Sequence, residues 1–268
     1  ESKVLVLSPM YGEYSHILKH VIGCHITYFV LEDRNNFSID ANDLISQACE
    51  HDAVIFVNPN SPTGVYCDSM GDIVKQIASS QNPDSVCKMI WVDETYINYL
   101  PDAVSLEAMC TLLPELVVCK SMSKCYALSG LRVAYAVSQS MSMLKRYIPP
   151  WAVSLPGQLA AVAALRNETY YGEQYEVIHG EREKMQSALE ASGFRVFPGV
   201  ANYLLTYLPE ESGYSSVGFI EACRARGLFV RDAQNMGVSL PGNAVRFAVR
   251  SVEENKTMLS VVDDVLSM

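Results

Sequence analysis

Apolar residues in the first half of the chain come in short runs at residues 4–7, 26–31, 54–57, 90–92, 116–119 and 133–137. Runs of that length, bounded by polar or turn-forming residues, predict buried strands. Between them, residues 41–50 and 72–79 place apolar positions three and four apart, the period of a helix with one buried face. Strands alternating with helices predict an α/β fold with a mostly parallel central sheet flanked by helices. The pattern changes at residue 154. Residues 154–192 have a mostly helical period, with a break expected near Gly172. Strand-like runs follow at 194–197, 202–205, 228–230 and 245–249, with helices at 218–226, closed by Gly227, and at 252–266. These segments predict a smaller α+β unit. The expected division is a large domain over residues 1–153, then a linking helix and small C-terminal domain over 154–268.

A parallel sheet binds ligands at the carboxyl ends of its strands, and the residues with chemistry to offer follow strands here. Tyr11 comes after the first run, Asn58-Pro59-Asn60-Ser61-Pro62-Thr63-Gly64 after the third, Asp93 after the fourth, and Ser121-Met122-Ser123-Lys124 after the fifth. A lysine between two strands is rarely fully buried unless paired or reactive. Near another cation its pKa falls, and the amine becomes a nucleophile able to form a Schiff base with a carbonyl. Arg132 and the hydroxyls of Ser121 and Ser123 suit a phosphate dianion beside it. Together these groups describe a pyridoxal phosphate site. Taken alone, the same segment also reads as a loop with a solvated lysine, two turn serines and a surface arginine.

Composition narrows the setting. The 268 residues are 49% hydrophobic, enough for a large core and more than one structural unit. No apolar run reaches the roughly 18 residues a membrane span needs. The formal charge of −10 argues against nucleic-acid and anionic-membrane partners. Eight cysteines without a CxxC pair read as reduced core residues of a cytoplasmic protein. The opening Glu1-Ser2-Lys3-Val4 has no basic, signal-like region, and the absence of a starting Met suggests a fragment or processed form. Asn167-Glu168-Thr169 matches a glycosylation acceptor only by coincidence on that reading. His16 and His20 lie four apart, but Ile17, Leu18 and Lys19 between them supply no third ligand, so no metal site is expected.

Three motifs in order, NPNSPTG over residues 58–64, Asp93-Glu94-Thr95-Tyr96, and Ser121-Met122-Ser123-Lys124 with Arg132 eight residues on, resemble those of the class I/II aminotransferases of fold type I. The resemblance covers most of the chain. The later segments 149–154, 201–205, Arg231-Asp232 and 245–250 resemble the histidinol-phosphate aminotransferase branch, which includes related threonine-phosphate decarboxylases. The resemblance implies pyridoxal 5′-phosphate as cofactor and a homodimer. It implies that Lys124 carries the cofactor as a Schiff base and shuttles protons, that Asp93 pairs with the pyridine nitrogen, and that Tyr96 bonds the phenolic oxygen. It assigns Ser121, Ser123 and Arg132 to the phosphate, Tyr11 to stacking on the ring, and Arg246 to the substrate carboxylate. Arg231 and Arg250 are further candidate anion contacts. The reaction implied is amino transfer between an amino acid or amino-phosphate and a 2-oxo acid. The alternatives are decarboxylation of a phosphorylated amino acid on the same scaffold, or a non-catalytic relative.

Two departures from the family pattern bear on this reading. Ser61 stands where the family has an asparagine whose amide meets the phenolic oxygen, with Asn60 one place earlier. The first strand already matches the segment carrying the stacking aromatic. The family's arm and glycine-containing phosphate loop, from a region where the partner subunit also contributes, are therefore expected upstream of Glu1. These 268 residues are expected to lack part of the phosphate cup, and so to bind the cofactor weakly and self-associate.

Overall fold

The computed structural model describes residues 1–79 and 87–267. The first half alternates β1 (Lys3–Ser8), α1 (Gly12–His16), a π-helical turn (Ile17–Ile22), β2 (His25–Val30), α2 (Ala41–Ala48), β3 (Ala53–Val57), α3 (Met70–Ser79), β4 (Met89–Asp93), β5 (Leu116–Ser121) and β6 (Ala134–Val137). The strands form one sheet in the order β2-β1-β3-β4-β5-β6. Every neighbouring pair is parallel except β5 with β6. The inner strands are apolar on both faces because helices cover both. Leu5, Val54, Phe56, Val92, Leu116 and Val118 have no exposed surface. The helices are fixed by ordinary signals: Asp40 caps α2 by accepting from the backbone of Asn42 and Asp43.

After α4 (Met141–Leu144), the chain enters α5 (Leu155–Leu165) and α6 (Glu168–Ala191). The expected break falls at Arg166-Asn167 rather than at Gly172, which lies inside α6. Nothing lies within 4 Å of a Cβ placed on Gly172. A lone glycine costs a helix only about 1 kcal/mol, too little to stop one that packing favours.

β7 (Arg195–Val196), β8 (Tyr203–Tyr207), α7 (Ser216–Arg224), β9 (Arg231–Asp232), β10 (Ala244–Ala248) and α8 (Val252–Leu266) make the second unit. Its antiparallel sheet runs β7-β8-β10-β9. The strand expected at 228–230 begins instead at Arg231, where pairing with β10 is available. Ser251 and Glu254 form a reciprocal capping box at the start of α8.

The two sheets share one apolar cluster, since Phe197, Leu205, Tyr207 and Ala244 pack with Leu7, Leu31 and Phe37. A second tie is backbone on backbone. Gly64 sits at φ +75° with Gly199 against it, and a Cβ on Gly199 would lie 2.9 Å from the Thr63 carbonyl. Val200 then donates its N–H to the Gly64 carbonyl at 2.8 Å. Only glycine allows that approach, and it carries the second sheet to the loop after β3. Among the described residues no helix is long and apolar enough to cross a membrane.

Candidate active site

Four loops converge at the carboxyl edge of the first sheet. Asp93 closes β4 and Ser121 closes β5, while Tyr11 and the 58–64 loop follow β1 and β3. Arg246 comes from β10, in the other sheet, and reaches the same place. Its Nη1 donates to Ser61 Oγ at 3.1 Å, and its guanidinium stacks over the Tyr203 ring at 4.6 Å.

Asp93 is held at both oxygens. Oδ1 accepts from the Thr95 backbone at 2.9 Å, and Oδ2 accepts from the Tyr14 hydroxyl at 2.7 Å. A carboxylate has about four lone-pair sites, so acceptor capacity is left for a cationic N–H. Tyr96 is buried and meets Tyr203 edge to face at 5.2 Å. Burial pushes its phenol up to about 12, against the pull of Arg246.

Lys124 is not the buried lysine that its place between strands suggested: it is exposed. Its ammonium is nevertheless pushed below the ordinary lysine value, first by partial desolvation and then by Arg246 and Arg132. Ser121 Oγ and Ser123 Oγ lie 2.8 Å apart beside it. Arg132, in the left-handed region at φ +53°, donates to the Ser129 carbonyl at 3.1 Å and leaves donors over. Lys124, Arg132 and Arg246 thus gather without a carboxylate in an ion pair with any of them among the described residues. Uncompensated cations around a depressed amine fit a phosphate dianion and a carboxylate. The donor set is that of a pyridoxal phosphate site.

Asn60 is less free than the motif suggested. Its amide donates to the Pro9 carbonyl at 3.0 Å and to Thr63 Oγ1 at 3.1 Å, while its buried Oδ1 has no partner. Arg250 pairs with Glu254 at 2.8 Å on the surface. Arg231 faces Arg246 directly across the antiparallel β9–β10 register. Tyr11 is half-exposed and packs edge-on to Tyr14 at 6.2 Å. His16 and His20 have ring centroids 5.3 Å apart, and among the described residues no cluster of His, Cys, Asp and Glu could hold a metal.

Three participants were not singled out from sequence. Tyr14 is three residues after Tyr11 at a helix start, a spacing that puts both rings on one face. Trp91 is two before Asp93 on one strand, hence on the same face of the sheet. Lys120, not Lys124, is the buried lysine, paired with Glu94 and Glu107.

A parallel sheet with a lysine, a carboxylate and two hydroxyls at its strand ends, closed over by an arginine from a second sheet, defines an enzyme of the pyridoxal-phosphate transferase fold. The chain belongs to the aminotransferase class I and II family, matching it over residues 1–262. It is 30% identical to histidinol-phosphate aminotransferase 2 of Archaeoglobus fulgidus, over 98% of this chain and 71% of that protein. It is 26% identical to an L-serine phosphate decarboxylase of Sulfurospirillum multivorans, over 98% of this chain and 68% of that one. Among solved structures it is similar to the histidinol-phosphate aminotransferase of Clostridium acetobutylicum, with a TM-score of 0.87 at 26% identity, covering 99% of this chain and 78% of that one.

Proposed function

We propose that this protein transfers an amino group between an amino acid or amino-phosphate and a 2-oxo acid, with Lys124, Asp93 and Tyr96 as its catalytic residues. The observation that carries the reading is the gathering of Lys124, Arg132 and Arg246, uncompensated by carboxylates, around the strand ends that bear Asp93 and Ser121. Pyridoxal phosphate, when bound, supplies an aldehyde for covalent capture of amines and an electron sink for negative charge at the amine-bearing carbon. Lys124 Nζ is the amine that would hold that aldehyde. The same Nζ would take the proton from the substrate Cα, and its depressed pKa leaves more of it as free base. Asp93 would keep a proton on the pyridine nitrogen by charge. Tyr96 would donate to the phenolic oxygen, with Ser61 and Asn60 assigned beside it. Ser121, Ser123 and Arg132 would hold the phosphate, Tyr11 would cover the ring, and Arg246 would grip the substrate carboxylate in a bidentate pair.

The β9–β10 register favours an anionic substrate beyond its carboxylate. Like charges directly opposite across strands are destabilising, and a phosphate between Arg231 and Arg246 would relieve that repulsion. Phosphorylated amines fit, in line with the names of the relatives. Decarboxylation of a phosphorylated amino acid on the same residues remains the second reading, favoured by the serine-phosphate decarboxylase likeness. We further propose a cytoplasmic homodimer with a large unit over 1–153 and a small one over 154–268. Eight free thiols support the compartment, and the exposed apolar stretch of Ile148, Trp151, Leu155 and Leu159 supports the dimer.

The test is borohydride reduction of the cofactor-loaded protein followed by peptide mapping. A pyridoxyl group on Lys124 supports the assignment, and one on any other lysine refutes it. A screen of amino donors with a 2-oxo acid acceptor then separates transfer from loss of carbon dioxide.

A further inference from the structure

The carboxylate assigned to the pyridine nitrogen does not stand alone. Trp91 Nε1 donates to the Tyr14 oxygen at 3.0 Å, and the Tyr14 hydroxyl lies 2.7 Å from Asp93 Oδ2. Cys119, the register partner of Asp93 on β5, lies beneath with its Sγ 3.7 Å from the same phenol oxygen. An indole N–H can only donate, so Trp91 occupies a lone pair of the phenol. The phenol's one proton then goes to its short neighbour, the Asp93 carboxylate. The direction of the chain is set: indole to phenol to carboxylate. The same Tyr14 ring props Tyr11 edge to face at 6.2 Å, with an interplanar angle of 82°.

We propose that Tyr14 is a positioning residue of the reaction, which through its hydroxyl holds Asp93 as the anion facing the pyridine nitrogen and through its ring holds Tyr11 over the cofactor. The inference rests on the reading of Asp93 and the cofactor given above. A hydrogen bond donated to a carboxylate lowers its affinity for a proton. With the phenol in place, a pyridine nitrogen facing Asp93 would keep the proton that the two share, and that proton would strengthen the electron sink. Without it, the carboxylate competes for that proton. Burial and the Asp93 charge both push the Tyr14 phenol far above its ordinary value, so it donates throughout the range in which the enzyme works. Trp91 acts one step further out. By filling a phenol lone pair and polarising the O–H, it strengthens the bond to Asp93.

The experiment uses the full natural chain loaded with pyridoxal phosphate labelled with nitrogen-15 in its ring. Tyr14→Phe deletes the hydroxyl and keeps the ring that supports Tyr11. The ring nitrogen resonance is expected to move toward the unprotonated position. The cofactor dissociation constant is expected to rise about threefold and kcat to fall about tenfold, the scale of one hydrogen bond to a charged group, with KM for the amino donor within about twofold. Trp91→Phe should move the resonance the same way by a smaller amount. In an Asp93→Asn background, where no carboxylate holds the ring nitrogen protonated, adding Tyr14→Phe should leave the resonance in place. A nitrogen resonance unmoved by Tyr14→Phe, in protein whose Lys124 is labelled on reduction, overturns the inference and leaves the functional reading standing. Absence of a Lys124 label in the parent protein would instead count against that reading. Should Tyr14→Phe lower kcat and raise KM in step with no change in resonance, the hydroxyl is purely structural and the proposal is again overturned.

Discussion

Removing the amine of Lys120 should cost more stability than any other single charge deletion near the site. Strand alternation puts Asp93 and Ser121 on one side of the chain's path and their neighbours Glu94 and Lys120 on the other. There Lys120 Nζ lies 2.6 Å from Glu107, 3.3 Å from Glu94 and 2.9 Å from Ser105 Oγ. Glu94 is almost fully enclosed, with 1% of its side chain exposed, and it is anchored by the Ser105 hydroxyl at 2.6 Å and the Leu106 amide at 2.8 Å. Glu107 is one-third exposed and also accepts from Tyr135 at 2.9 Å, so water screens it and its share is smaller. Lys120→Met keeps the stem's packing and removes the charge, leaving Glu94 buried and unpaired. Breaking a buried pair this way costs about 3–5 kcal/mol; the lower end applies here, because Ser105 and Leu106 still serve the carboxylate.

With a urea dependence of about 3 kcal/mol per molar for a chain of this size, the unfolding midpoint should drop by about 1 M. Adding Glu94→Gln to Lys120→Met removes the orphaned charge and should restore more than half of the loss. Far-ultraviolet circular dichroism against urea reads both. A midpoint shift below about 0.3 M for Lys120→Met, or a double variant less stable than the single, would refute the claim that Lys120 compensates Glu94.

Asp93→Asn should lower kcat on the order of 100-fold with an unchanged urea midpoint, because an amide cannot hold the ring nitrogen protonated by charge; near-normal turnover would remove Asp93 from its role. In cofactor-free protein, acylation of Lys124 should titrate with a midpoint below 10.5. Partial desolvation and both guanidinia disfavour the ammonium, so Arg246→Met should move that midpoint upward, and a downward move would contradict the electrostatics. Ser61→Ala removes the 3.1 Å bond to Arg246 and should raise KM for the amino acid about three- to tenfold with kcat nearly kept; an unchanged KM would mean that Tyr203 alone orients the guanidinium.

The strand ends were legible because a parallel sheet has only one place for ligands, and short apolar runs mark its strands well. Residues 252–266 were read as a helix to the residue, and in the structure Ser251 and Glu254 close its start in a capping box. What escaped was long-range pairing. Nothing within residues 228–232 says that β10 will pair with Arg231-Asp232 rather than with the apolar 228–230 run before it. Lys124 was read as enclosed between strands, whereas the buried lysine is Lys120, which its sequence context did not single out. Lys120 looks like an edge charge until the 105–107 turn brings Ser105 and Glu107 to it. Lys124 looks enclosed by strands, yet it is exposed while Met122 and Cys125 around it are buried.

The join between the two sheets explains why the site's least local residue has a defined position. Arg246 is some 120 residues beyond Lys124, on a strand that never touches the first sheet's strands by hydrogen bonds. Its place is set from below by the 58–64 loop, which meets the second unit at three points besides Arg246 itself. Gly64 meets Gly199 backbone to backbone, the Gly64 carbonyl accepts from Val200, and the Asn60 carbonyl accepts from Tyr203 at 2.7 Å. Tyr203 is the residue whose ring carries the Arg246 guanidinium, and Ser61, between Asn60 and Gly64, accepts its hydrogen bond. One rigid turn thus fixes the platform under the arginine and the acceptor beside it. The asparagine that the family places at Ser61 would be longer and would reach further over the cleft. The Ser61 hydroxyl accepts from Arg246 at 3.1 Å, so the loop that follows β3 also fixes the direction of the guanidinium.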